Sequence, residues 1–293
     1  MTANQLETEK IKNSLHQWIF AKTPDKGREW LNGKLEQLAS APSDRNLFIA
    51  FGVAPRFVGK EPLNLSEADL QQAKALRQGW NPAHWTTDQA TRVLLLLSLP
   101  NEDPDKLVNT LNQLFSTAEV GELTALYLSL PLLPYPEQHH FRATEGFRTN
   151  MNVVFNAIAL DNPYPAEYLD EPAWNQMVLK ALFIGSPLHR IYHVDRRTNP
   201  TLARILSDFA HERWAAKRPV PVELWRMVGP CLDYNTLPDV EKLFAQGTET
   251  EQQAAALACA SSSFEPAQQL LQTKRPDLRE KIERGELSWE QMA

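Results

Sequence analysis

Proline sets the limits on what this chain can fold into. It occurs 21 times, against 11 glycines, in 293 residues. Proline locks φ and lacks an amide donor, so it is excluded from central strands but tolerated in the first turn of a helix. Here it falls where helices begin and end. Pro104, Pro172 and Pro200 sit in first turns, and Gly185 and Pro187 follow a last turn. Between these marks apolar residues recur at three- and four-residue steps. Long runs of strict alternation are missing, and so are hairpin signals. The reading is an all-α fold with stiff turns.

Helices are expected over residues 4–20 and 27–40, then after "APSD". Ser66 with Asp69 and Thr86 with Gln89 have the form of capping boxes. "AEVGELTALYLSLPLLPYP" gives a helix stopped by Pro131, Pro134 and Pro136. Three strong helices follow, over residues 139–160, 171–184 and 200–216. The remainder reads as short helix pairs, from "VELWRMV" to "SWEQM". Successive short helices suggest a right-handed, solenoid-like (HEAT-like) stack, although no clean repeat period is present. A single all-helical domain over 1–293 is expected, subdividing at 1–135, 136–220 and 221–293.

A net charge of -6 and a pI near 5.7 argue against a chain-wide phosphate-binding surface, so nucleic acid is not an expected partner. Arg196 and Arg197 are the only local basic pair near the middle helices. Cys231 and Cys259 match no metal or redox spacing and are expected to be packing residues. The N-terminal stretch lacks the order of a signal peptide. The longest apolar run, residues 93–99, is far short of the roughly 20 that span a bilayer. A cytoplasmic protein without a transmembrane segment is expected. There is no G-x-S-x-G, Walker A or G-x-G-x-x-G, and no cysteine beside a plausible base. No cofactor and no catalytic residue is assigned.

Several polar residues stand out against apolar helices. Taken as one helix, residues 141–160 put Glu145, Arg148 and Asn152 on one face, opposite Phe147, Met151, Val154, Phe155 and Ile158. That is either a wet surface with one Glu–Arg pair or a set of groups able to hold a polar ligand. Lys180 lies in a helix that is apolar nearly all round, with Trp174 six residues before it. Either the lysine snorkels to solvent or it faces a cavity. His189 and His193 have a helical metal spacing but no third ligand at a standard offset, so no metal is expected. Asp208 and His211 lie on the polar face of the 200–216 helix, beside Arg204 and Glu212. These nine residues (Glu145, Arg148, Asn152, Trp174, Lys180, His189, His193, Asp208 and His211) are the candidate ligand-binding set. Arg148, Asn152 and Lys180 are expected to share one cleft, walled by Trp174.

The blocks "GWNPAHWTTDQATRVLLLLSLP", "GELTALYLSLPLLPYPE", "EGFRTNMNVVFNAIALDNPYPAEYLDEPAWNQMVLKALFIGSPL" and "NPTLARILSDFAHERWAAKRPV" resemble the EboA family, in order, from about Phe48 onward. The resemblance implies a bacterial gene cluster that also encodes a UbiA-like membrane prenyltransferase and sugar-isomerase-like, TatD-like and dehydroquinate-synthase-like proteins. In cyanobacteria it implies movement of a scytonemin precursor out of the cytoplasm. It carries no catalytic residues onto this chain. The expectation is a non-catalytic binding or adaptor protein for a small aromatic or prenylated metabolite. Its partners would include proteins of the same cluster, with the prenyltransferase-like protein among them. A cofactor-free enzyme acting on that metabolite and a scaffold without a pocket are the alternatives.

Overall fold

The computed structural model describes residues 3–292. It divides into two compact units, Met1–Leu169 and Asp170–Ala293. Among the described residues there is no strand, only an isolated bridge between Pro62 and Thr86. The first unit holds α1 (Ala3–Lys22), α2 (Asp25–Ser40), α3 (Asp44–Val58), α4 (Glu67–Leu76), α5 (Thr87–Leu97), α6 (Pro104–Thr117), α7 (Val120–Ser129), α8 (His140–Arg148), α9 (Asn152–Ala159) and α10 (Tyr164–Tyr168). The second holds α11 (Glu171–Ile184), α12 (Pro200–Ala215), α13 (Leu224–Val228), α14 (Leu237–Gln246), α15 (Glu249–Ser261), α16 (Glu265–Lys274) and α17 (Pro276–Glu283). "SWEQM" forms a 3-10 turn rather than an α-helix.

The first unit is built around α5. Every residue of α5 except Gln89 is buried, and the helix packs against α1, α3 and α7. Its leucines supply the apolar area. Its one cation, Arg92, is also inside, with only 5% of its side chain exposed. A buried guanidinium is costly unless its charge and its donors are met. Asp88, one turn earlier, accepts from Arg92 Nη1 at 2.7 Å. Arg92 Nε donates to the carbonyl of Phe51 at 3.0 Å. That carbonyl would ordinarily receive the amide of residue 55, but Pro55 has no amide to give. The proline vacates an acceptor inside α3, and an arginine from α5 fills it. The Phe51 ring lies 5.5 Å from the same guanidinium.

The helix expected over residues 139–160 is broken. A 3-10 turn covers Pro136–His139, α8 ends at Arg148, and α9 begins at Asn152. Thr149 turns extended, and its hydroxyl accepts from the Met151 amide at 3.2 Å. Short polar side chains compete in this way with helical hydrogen bonding. The two helices pack on each other, which buries Phe147 and Phe155. Met151, expected on the apolar face, is exposed at the break. Gly146 lets α8 come close to α7, since a Cβ there would lie 2.7 Å from the ring of Tyr127.

The second unit is centred on α15, whose buried run Ala254–Cys259 has four alanines with Leu257 and Cys259. Small side chains permit close approach, and a Cβ on Gly229 would fall 2.7 Å from the Ala258 Cα. Cys259 is fully buried, and burial raises its thiol to about 12; Cys231 is half-buried and raised for the same reason.

Replacing Arg92 by methionine leaves the buried Asp88 without its ion-pair partner and the Phe51 carbonyl short of a donor. It should cost the first unit roughly 3–5 kcal/mol. Pro55→Ala restores an amide for that carbonyl. In the Pro55→Ala background the Arg92→Met loss should therefore shrink by about 0.5–1.5 kcal/mol. Urea unfolding of the four proteins measures the coupling, and strict additivity would show that the carbonyl does not depend on Arg92.

Candidate functional site

The first unit carries a surface groove of about 640 Å³, within the range of small-molecule sites. One wall is the proline-rich segment after α7. Pro131, Pro134 and Pro136 give it little amide hydrogen bonding of its own. Its carbonyls are instead claimed by side chains from elsewhere. Arg77 Nε donates to Pro131 O at 3.0 Å, His139 Nε2 to Pro134 O at 2.9 Å, and Tyr164 Oη to Pro136 O at 2.7 Å. Arg77 also grips Glu167 of α10 with both terminal nitrogens.

Within that wall Tyr135 is held at φ 57°, ψ 51°, a left-handed conformation that costs a non-glycine residue roughly 1–2 kcal/mol. Its hydroxyl donates to Asn101 O, which fixes the ring at the groove. Such strain persists where the surroundings enforce it, and it clusters at functional sites. Tyr168 lines the groove beside Leu132 and Leu133. Burial and then Glu167 raise its phenol. The site combines leucine, proline and tyrosine faces with a polar lining that includes Glu7, Asn101, Glu102 and the Arg77–Glu167 pair.

None of the nine residues named from sequence lies in this groove. Glu145 is exposed and pairs with Arg142 at 2.7 Å, not with Arg148. Arg148 and Asn152 are exposed, and they stand on separate helices rather than one turn apart on a single face. In the second unit Trp174 is fully buried, with the Arg197 guanidinium 4.7 Å from its ring centre. Lys180 is half-buried, and burial lowers its ammonium. His189 and His193 lie outside any α-helix. His189 Nδ1 is 3.4 Å from Glu223, and His193, at φ 57°, is 3.1 Å from Arg196 Nη1. Asp208 is exposed. His211 meets a residue that sequence reasoning passed over. Its Nε2 bonds Asp239 Oδ1 at 2.5 Å, and the other oxygen of Asp239 accepts from Ser207 at 2.5 Å. The buried carboxylate stands between serine and histidine, so the imidazole does not activate the hydroxyl as a catalytic triad requires.

The description "Metabolite traffic protein EboA" matches residues 11–229, most of the chain. The chain belongs to the EboA family. The EboA match takes in the groove lining from Ile11 to Tyr168 and ends inside the second unit, before α14. No curated protein and no solved structure matches the chain. No helix among the described residues is long and apolar enough to cross a membrane.

His139 ties groove chemistry to stability. It is 2% exposed, and burial holds its pKa below the usual histidine value, against the opposing hydrogen bond to Pro134 and the charge of Glu137. The folded state therefore keeps the neutral ring. As pH falls below about 6.5 the unfolded chain takes a proton that the folded one refuses, so stability drops until the folded pKa is passed. Above that window this residue adds no pH dependence. His139→Gln keeps a donor for Pro134 O without the titration. The melting temperature of the variant should fall less than that of the parent between pH 7 and pH 5.

Proposed function

We propose that this chain is a non-catalytic binding or adaptor protein in bacterial secondary-metabolite trafficking. It holds a small aromatic or prenylated precursor in the groove beside Tyr135 and Tyr168. It works in the cytoplasm and docks on other proteins of its gene cluster, a membrane prenyltransferase-like protein among them. Its helix pairs stack in a solenoid-like manner that presents these surfaces. Membership of a metabolite-traffic family carries this reading. The groove supports it, because a preformed cavity with mixed apolar and polar walls is the usual form of a small-molecule site. Glu145, Arg148, Asn152, Trp174, Lys180, His189, His193, Asp208 and His211 are kept as a second proposed set for ligand or partner contact.

The experiment is equilibrium binding of purified protein to phenols, indoles and short prenyl alcohols, with mass spectrometry of the recovered compound. Stoichiometric uptake without chemical change is expected, and Leu133→Asp or Tyr168→Ala should weaken it by about tenfold, roughly 1.4 kcal/mol. Conversion of the compound would favour the enzyme reading instead. If Arg148→Ala combined with Lys180→Met leaves both uptake and metabolite traffic unchanged, the second set is only a wet surface.

A further inference from the structure

A second, smaller pocket lies elsewhere in the first unit, and it is independent of the groove. It encloses about 190 Å³ between α3, α5 and the start of α7. Its lining includes the buried Arg92, Arg56 and Lys60, with Glu119 and Glu122 facing them and Gly52 and Gly121 between.

Arg92 has donors to spare here. Nε and Nη1 are committed to Phe51 and Asp88, and Nη2 bonds to nothing among the described residues. Arg92 lines the cavity, and its uncommitted nitrogen can take an acceptor there. Glu122 is half committed as well. Its Oε2 accepts from the Glu119 amide at 2.9 Å, and Oε1 has no hydrogen bond. The first turn of α7 adds amides of Val120 and Gly121 that no intrahelical carbonyl can reach. Together with the helix dipole they favour a negative group at this end.

Two glycines line the pocket, and the space is tight at Gly52. A Cβ on Gly52 would stand 3.2 Å from Glu122 Oε1, and one on Gly121 would stand 3.9 Å from Arg92 Nη1. Neither glycine has a left-handed φ, so backbone conformation does not demand it.

The charges decide what fits. A simple anion would meet the two carboxylates, and a simple cation would meet the three basic side chains. A small molecule with both signs satisfies each wall. The volume lies below the range of drug-sized ligands, which suits a molecule as small as a free amino acid. We propose that this pocket binds a free α-amino acid, its carboxylate on Arg92 Nη2 and the α7 amides and its ammonium on Glu122 Oε1.

Calorimetry of the full chain against each standard L-amino acid, N-acetylglycine, glycinamide and inorganic phosphate tests this. At least one free amino acid should bind once per chain. N-acetylglycine, which lacks the ammonium, and glycinamide, which lacks the carboxylate, should each bind at least about tenfold more weakly than the best free amino acid. Gly52→Leu should abolish binding while circular dichroism and the melting temperature hold, since leucine is the better helix former. Lys60→Ala, at an exposed position, should weaken binding several-fold without touching the core. The proposal is overturned if no amino acid gives a saturable signal. Phosphate or N-acetylglycine binding as tightly as the amino acid also overturns it, and so does a folded Gly52→Leu protein that retains affinity.

Discussion

The first unit depends on one buried cation. Arg92 sits in the middle of a helix buried along nearly its whole length, where an unmatched charge would cost several kcal/mol. Its position is made tenable by Asp88 on its own helix and by a carbonyl that Pro55 has left without a donor. The ion pair is therefore also a joint: it fixes the register of α5 against α3. Around that joint α1 and α7 close, and α7 in turn sets the start of the proline-rich wall.

The second unit uses a similar device with less burial. Glu223 accepts from the backbone amides of Leu188 and His189, while Arg226, three residues on, grips Asp195 through Nε and Nη2 at 2.6 and 2.7 Å. Two neighbouring side chains thus tie down both ends of a segment that has no helix of its own beyond short 3-10 turns. His189 and His193 belong to this strap. Their four-residue spacing reflects that path and not a helical face.

What could be read in the sequence was local. The capping boxes at Ser66–Asp69 and Thr86–Gln89 formed as their spacing required, and Glu171–Ile184 began and ended where Asp170, Pro172 and Gly185 dictate. The break after Arg148 was spelled by Thr149, but the apolar periodicity on either side outweighed that signal. Arg92 stands just before the run Val93–Leu97 and reads as the polar edge of that helix. Asp239 lies 28 residues from His211, so no short window joins them. The groove draws residues from positions 7 to 168, and only the folded chain brings them together. Its one sequence trace was the proline cluster, which reads first as a helix stop.

That cluster has a consequence for recognition. Proline offers no N–H, and the carbonyls of Pro131, Pro134 and Pro136 are already occupied by Arg77, His139 and Tyr164. At these three positions the main chain has little to say to anything in the groove: it has no amide to give, and its oxygen already accepts one bond. Selectivity there rests on shape, ring faces and the few side chains at the edge. Exchanging one of those side chains would change what the groove accepts and leave its frame standing.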